Sequence, residues 1–178
     1  MVGHCAAAAA PAFASARASA GATEDLVYLL QFGNPSADDG APKDGADVPP
    51  PSPPAYGVAV YNVTTGEWRR ERGVPPVLPV FVQCAAVGTR VAVLSGWDPR
   101  TFEPVADVHV LDDATGAWRR ATPMQSVWSF FACSEAGGKI YVAGAHDKRK
   151  NALKMAEAYD AGADAWDPLP DMSEERGE

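Results

Sequence analysis

The sequence is poor in three features that each define a class of protein: cysteine, excess positive charge and long apolar runs. Its 178 residues include Cys5, Cys84 and Cys133 but no Cys-x-x-Cys pair, so neither a disulfide framework nor a zinc site is expected. The 23 acidic and 15 basic side chains give a net charge of −8, which argues against a nucleic-acid-binding domain. The longest uncharged run, residues 73–89, is broken by three prolines, so no membrane span is predicted.

Residues that could carry catalysis are also sparse. The three histidines are His4, His109 and His146, and no Ser-His-Asp order, phosphate-binding loop or paired-carboxylate motif accompanies them. Cys84 and Cys133 hold equivalent positions in a repeat described below, so we predict that both fill the core. We therefore expect no enzyme, no metal site and no cofactor.

Two segments are too biased in composition to build a core. Residues 1–22 are rich in alanine and are open to three interpretations: a targeting peptide, the remnant of a helical domain, or a disordered tail. Residues 32–55 are dominated by Pro, Gly, Asp and Ser and are predicted to form a flexible loop. Between them, the apolar run 26–30 is typical of a buried strand. The predicted organisation is a tail over 1–22 and one repeat domain over 23–178.

From residue 56 onward the sequence repeats with a period near 50. An aromatic or aliphatic residue is followed seven positions later by Trp, with a polar turn between them, which indicates a β-hairpin. The three pairs are Tyr61 with Trp68, Leu111 with Trp118, and Tyr159 with Trp166. A second hairpin repeats at an offset of 49, where residues 80–84 match 129–133 and residues 91–96 match 140–145.

One repeat unit therefore holds four short strands, with small residues ending the second strand. This pattern is typical of a kelch-type β-propeller blade, in which the Tyr and Trp side chains pack between neighbouring sheets. The alternative is a β-sandwich with chance periodicity, but two independent elements that repeat in phase argue against it. We predict an all-β fold of about two and a half kelch-type blades, hence an incomplete propeller, preceded by a disordered N-terminal tail.

At this point the chain resembles the plant F-box/kelch-repeat proteins. The resemblance rests on EDLVYLLQF (24–32), VAVLSGWDP (91–99), DVHVLDDATGAWRRATPM (107–124), SFFACSEAGGKIYVAGAHD (129–147) and AEAYDAGADAWDPLPDM (156–172). In that family an F-box docks on the Skp adaptor of a cullin ubiquitin ligase, and the propeller captures the target. The resemblance implies targets such as phenylpropanoid enzymes, phenylalanine ammonia-lyase among them, or cytokinin response regulators, and a cytoplasmic or nuclear location.

No F-box pattern is visible in the sequence, and about two and a half blades would leave exposed sheet faces. We therefore expect a truncated or fragmentary kelch module that engages Skp–cullin components only if a longer form carries an F-box, and that contacts neither nucleic acid nor membrane. Two alternatives stay open: a kelch scaffold unconnected to a ligase, and a fragment of a kelch-propeller metalloenzyme.

Blade geometry places the long connections on one rim, which is the usual binding surface of such a scaffold. The predicted partner-binding residues are Trp97, Arg100, His146, Lys148, Arg149 and Lys150. Other basic residues are expected beside the same connections, so the sequence predicts a basic rim. These further residues are Arg69, Arg70, Arg72, Arg119, Arg120 and Lys154. Two interpretations of this rim stay open: it attracts an acidic protein target, or it is a solvated surface that keeps the blades soluble.

Overall fold

A computed structural model describes residues 24–33, 55–146 and 149–177, and its secondary structure in these ranges is entirely β. The predictions for 1–22 and for most of 32–55 fall outside the described residues. Within the described ranges no helix is long and apolar enough to cross a membrane.

In the described part of the chain, eleven strands form three antiparallel sheets. The first sheet has the order β1-β2-β3, the second β4-β5-β6-β7, and the third β11-β10-β9-β8. Consecutive strands pair in every sheet, as the repeat predicted. The bounds are β1 Leu26–Gly33, β2 Ala55–Asn62, β3 Glu67–Arg70, β4 Gln83–Val87, β5 Arg90–Leu94, β6 Val108–Asp112, β7 Ala117–Ala121, β8 Ala132–Ala136, β9 Lys139–Ala143, β10 Ala156–Asp160 and β11 Ala165–Pro168.

The Trp repeat marks one register position in all three sheets. Trp68, Trp118 and Trp166 lie directly opposite their predicted partners Tyr61, Leu111 and Tyr159. The turns between them are closed by Asx side chains that accept backbone N–H bonds, such as Asn62 Oδ1 from Thr64 at 2.9 Å and Asp160 Oδ1 from Gly162 at 2.9 Å. The predicted hairpins are confirmed. The polar residue that begins each turn stabilises it by accepting backbone hydrogen bonds.

Two apolar clusters join the sheets. One contains Tyr28 and Val60 of the first sheet and Leu111 of the second, with Trp118 packed against it. The other joins residues of the second sheet to residues of the third. Its larger members are Leu94, Val108, Val110, Trp128, Phe131, Ile140, Val142, Tyr159 and Trp166. The second sheet therefore buries both of its faces, as a propeller blade does.

Charged pairs reinforce both sheet contacts. Arg69 of β3 binds Asp113 in the turn of the second sheet at 2.6 Å, and the Tyr28 hydroxyl donates to the same carboxylate. Arg119 of β7 binds Asp164 in the turn of the third sheet at 2.9 Å. Although burial opposes the effect, hydrogen bonds from Tyr159, the Thr122 amide and Arg119 lower the pKa of Asp164.

Small residues end β5 and β9 where the chain passes close to another segment. Gly96 has φ 111°, and a Cβ added there would stand 2.5 Å from the Val80 backbone oxygen. At Gly144 the corresponding distance to the Arg176 backbone oxygen is 2.6 Å. These close approaches of backbone account for the small residues at both positions.

Three expectations need correction. Residues 80–84 were expected to form a strand, but β4 begins at Gln83, because Phe81 has φ 59° and breaks the extended backbone. Trp68 was expected to pack between blades, but it is 58% exposed, because it lies on the face of the first sheet opposite the Tyr28 cluster. Cys84 and Cys133 are half-buried rather than core residues, since both lie on strands at the margin of their sheets.

Candidate functional site

The strand order brings the long connections to one end of all three sheets. In each four-stranded sheet the second-to-third connection and the connection that enters the first strand emerge at the same end. We call this surface the loop rim, formed by the described residues 71–82, 95–107, 122–131, 144–146, 149–155 and 169–177. The tight hairpin turns lie at the opposite end. The predicted placement of the long connections therefore agrees with the strand order.

The connection 95–107 of the loop rim is stiffened by hydrogen bonds within it. Asp98 Oδ1 accepts the backbone N–H of Arg100 at 2.7 Å and of Thr101 at 3.0 Å, and these bonds lower the pKa of the Asp98 carboxyl. The Phe102 amide donates to the Asp98 carbonyl at 2.8 Å. The Arg100 side chain is exposed at the tip of this turn. A rigid turn presents its side chains at little entropic cost on binding.

Trp97 and His146, two of the predicted binding residues, meet through Ser129. Trp97 Nε1 donates to Ser129 Oγ at 3.2 Å, and the His146 backbone N–H donates to the Ser129 carbonyl at 2.9 Å. Both side chains are half-buried. The structure thus brings the connections of the second and third sheets together at Ser129, which the sequence reasoning had treated only as part of a strand.

The other predicted residues are distributed along the 144–155 connection. Arg149 and Lys150 are exposed, and Lys150 has φ 64°. Lys148 lies outside the described residues, so its place in the site stays a prediction. Farther along, Lys154 Nζ lies 3.5 Å from the Ser173 carbonyl oxygen of the last connection.

The basic character of the loop rim is weaker than the sequence predicted. Arg69 and Arg119 are held in the ion pairs between sheets described above, and Arg120 pairs with Asp107. These arginines lie on strands whose side chains reach acids 13 to 45 residues away in sequence, a proximity that charge counting along the chain does not show.

The loop rim carries exposed apolar side chains that the sequence reasoning missed. Nine large apolar residues are exposed in the described ranges, and most of them lie in these connections rather than on strands. The rim members are Val77, Phe81, Phe102, Val127, Phe130 and Met155. Contiguous exposed apolar side chains on a rigid scaffold mark interaction surfaces.

Three aromatic rings from three connections meet on this rim, and we call them the aromatic cluster: Phe81, Trp97 and Phe130. The ring centroids lie 6.1 Å apart for Phe81 and Trp97, 6.2 Å for Trp97 and Phe130, and 6.4 Å for Phe81 and Phe130. Phe81 and Phe130 have φ 59° and 55°, a conformation that costs an L-residue about 1–2 kcal/mol. The signal in the sequence was the repetition of Phe at an offset of 49, which had been assigned to a strand of the second hairpin.

Two ionisable side chains, one half-buried and one buried, lie at one equivalent position on β6 and β10. His109 is half-buried, and burial lowers its pKa, with Arg120 acting in the same direction. Glu157 is 2% exposed, and burial raises its pKa although the Gln125 amide donates to its carboxylate at 3.3 Å. In the described ranges no three His, Cys, Asp or Glu side chains cluster as metal ligands.

The sheets, their register and the loop rim define the class: kelch-repeat β-propeller blades. The Kelch motif family model matches residues 128–173. The F-box/kelch-repeat protein SKIP20 of Arabidopsis thaliana is 46% identical over 133 residues, which cover 70% of this chain and 32% of that protein. A second Arabidopsis F-box/kelch-repeat protein, At2g44130, is 40% identical over 129 residues, again 70% of this chain and 32% of its own length.

The predicted resemblance is therefore confirmed, and the chain belongs with the plant F-box/kelch-repeat proteins through its kelch region. The chain spans about a third of the length of these relatives. The feature that this chain shares with them is its set of kelch-type blades.

Proposed function

We propose that this chain is the target-recognition part of an SCF-type ubiquitin ligase adaptor, and that it captures its target protein through the loop rim. The observation that carries the proposal is the concentration of exposed apolar side chains on this one rim of a rigid set of blades. Such rims serve as binding surfaces because the blades fix the positions of the loops.

Phenylalanine ammonia-lyase is the target class that we propose to test first, following the family resemblance. The exposed Arg100, Arg149 and Lys150 support an acidic face on the target, since charge complementarity speeds association and excludes wrong partners. The proposed setting is the cytoplasm or nucleus, where such ligases and their targets meet.

The test is binding of purified chain to purified phenylalanine ammonia-lyase by biolayer interferometry at low and high salt. Replacement of Lys148, Arg149 and Lys150 by Glu is expected to slow association at least tenfold at low salt and to flatten the salt dependence. Lys139→Glu is the control for charge reversal away from the loop rim, because Lys139 lies beside the tight turn at the opposite end of the third sheet. Thermal unfolding is measured first for this variant, because Lys139 forms an ion pair with Asp167 at 2.9 Å. If the wild type does not bind, the proposed target is wrong. If the triple variant binds as the control does, the proposed binding surface is wrong.

The ligase connection needs a separate measurement. The native gene product, immunoprecipitated from plant tissue, is probed for both the target and the Skp adaptor. Recovery of both supports a ligase adaptor, whereas recovery of the target without the Skp adaptor identifies a kelch scaffold unconnected to a ligase.

A further inference from the structure

We propose that the aromatic cluster of Phe81, Trp97 and Phe130 is a cation–π site that receives a methylated lysine side chain of the partner protein. The inference rests on the proposed function, because it takes the loop rim as the binding surface. It adds the chemistry of one contact: a quaternary ammonium group, which is positively charged and has an apolar surface of methyl groups.

The first argument is the geometry of the three rings. Their centroids form a nearly equilateral triangle with sides of 6.1, 6.2 and 6.4 Å. A cation about 3.5 Å above the centre of this triangle lies about 5 Å from all three centroids, inside the range of about 6 Å over which aromatic rings attract cations. Phe81 is 56% exposed and Phe130 is 45% exposed, so a ligand can reach the cluster from solvent.

The second argument is backbone strain. Phe81 and Phe130 both adopt the left-handed region, where a bulky side chain is disfavoured, and they do so at the same position of two successive repeats. Neither ring is buried in return. Strain of this kind clusters at binding sites, where the surrounding structure holds a side chain in place for its ligand.

The third argument is that the polar atom of the cluster already has a partner. Trp97 Nε1 donates to Ser129 Oγ at 3.2 Å, and the two Phe rings carry no polar atoms. An unmodified lysine ammonium group loses hydrogen bonds to water on such a surface, and the rings offer it no oxygen acceptor in return. Methylation removes these donors and keeps the charge, so a methylated lysine suits the cluster better.

The fourth argument is the distribution of charge on the loop rim. The connections 71–82, 95–107 and 122–131, which supply the rings, carry four acidic and two basic side chains: Glu71, Asp98, Glu103 and Asp107 against Arg72 and Arg100. Glu71 and Asp107 lie within ion-pair distance of arginines on strands. Asp98 follows Trp97 directly, and Glu103 precedes the residue that pairs with Trp97, so carboxylates flank the indole along the chain.

The basic residues of the loop rim are concentrated elsewhere. The described residues 144–146 and 149–155 carry three basic and no acidic side chains. Charge complementarity therefore favours a cation at the aromatic cluster and places the acidic face proposed for the target opposite the connection 144–155.

The experiment titrates the isotope-labelled full chain with three synthetic pentapeptides and follows binding by nuclear magnetic resonance. The central residue of the peptide is lysine, trimethyllysine, or the neutral isostere of trimethyllysine in which carbon replaces the quaternary nitrogen. The reporter is the indole N–H signal of Trp97, which is assigned by its loss in Trp97→Phe. We expect the trimethyllysine peptide to bind about fivefold more tightly than either of the others, because it alone combines the charge with an apolar surface.

A double variant tests whether the rings form the site. Phe81→Asn with Phe130→Asn removes two rings, and Asn tolerates the left-handed region. Phe102→Asn is the matched control, because Phe102 is 59% exposed on the same rim, has φ 54° and lies outside the cluster. Circular dichroism and thermal unfolding check that both proteins fold. The double variant should bind the trimethyllysine peptide at least fivefold more weakly, and the control should bind it as the wild type does.

The three peptides test the proposal on the wild type even if the double variant does not fold. Equal binding of trimethyllysine and its neutral isostere would overturn the proposal and identify an apolar anchor site. It is also overturned if no peptide binds, if the lysine peptide binds equally well, or if the double variant binds at wild-type strength.

Two further measurements separate this site from other interpretations of the rim. Binding of phosphatidylcholine vesicles in place of the peptide, lost in the double variant, would overturn the proposal and identify a lipid headgroup as the source of the quaternary ammonium. Lyase binding that survives in the double variant would remove the cation–π site and leave the proposed function standing.

Discussion

The repeated Trp position offers a graded test of how the sheets pack. Trp68, Trp118 and Trp166 share one register position, but Trp68 is 58% exposed, Trp118 is half-buried and Trp166 is 8% exposed. Replacement of each by Ala removes the same atoms from three different environments. We expect the loss of stability to follow the order of burial, with Trp166→Ala the largest.

The expected difference follows from the buried area. For a Trp side chain of about 200 Å², Trp166 buries about 100 Å² more than Trp68, which corresponds to about 2.5 kcal/mol at about 25 cal/mol per Å². Trp166 Nε1 also donates to the Thr122 carbonyl at 3.0 Å, and the loss of such a bond costs about 1 kcal/mol. Trp166→Ala should therefore lower the free energy of unfolding by about 3–4 kcal/mol more than Trp68→Ala.

The assay is urea unfolding of the three variants, followed by far-ultraviolet circular dichroism. A folded Trp68→Ala protein with near wild-type stability, beside a strongly destabilised Trp166→Ala protein, is the expected result. If Trp68→Ala loses as much stability as Trp166→Ala, then Trp68 is packed as deeply as Trp166, and the assignment of Trp68 to an exposed face of the first sheet is wrong. Should Trp166→Ala fail to express, Trp166→Phe and Trp68→Phe, which keep a smaller aromatic ring and remove the N–H, preserve the comparison.

Three further predictions concern charge, protonation and backbone. Asp113→Ala removes the carboxylate that accepts hydrogen bonds from Arg69 and Tyr28 of the first sheet, and it should cost about 1–3 kcal/mol of stability. Arg120→Ala removes one member of an exposed ion pair and should cost about 0–1 kcal/mol. Equal melting temperatures of the two variants would refute the link between the sheets. Because burial raises the pKa of Glu157, the folded state holds this proton more tightly than the unfolded state does, so the stabilisation is complete below the unfolded pKa of 4.5 and is lost as pH rises through the folded pKa. The melting temperature of Glu157→Gln, measured from pH 4 to pH 8, should therefore depend less on pH than that of the wild type, and the variant should be the more stable protein at pH 8. The same pH dependence in both proteins would contradict this assignment. In denaturant unfolding, Gly96→Ala should lower the free energy of unfolding far more than Gly88→Ala does. Both positions have positive φ, but only Gly96 lies against another backbone segment. Similar losses of stability in the two variants would show that the close approach is absent.

The strands were predictable because their periodicity is local. A Trp seven residues after its partner, with a polar turn between them, fixes a hairpin register from a single stretch of sequence, and Tyr159 with Trp166 obeys it. The constant offset between repeats then showed which strands of one sheet correspond to which strands of the next. These features depend only on neighbouring residues, so the sequence contains them in full.

The loop rim was harder to predict because its character depends on contacts between sheets. Arg69 looked like a free rim charge, but it binds Asp113, 44 residues away in sequence. Phe130 looked like a strand residue, but its left-handed backbone turns the ring into solvent. A periodic pattern predicts which residues recur, but it does not show whether a recurring apolar residue is buried in the core or exposed to solvent.

The two apolar clusters that join the sheets share no residue. Val110 and Leu111 are adjacent in β6, yet Val110 belongs to the cluster facing the third sheet and Leu111 to the cluster facing the first. Each junction can therefore accumulate substitutions, or open transiently, without repacking the other, so long as the second sheet keeps its own hydrogen bonds. Divergence of one connection of the loop rim in evolution would then leave the neighbouring junction intact.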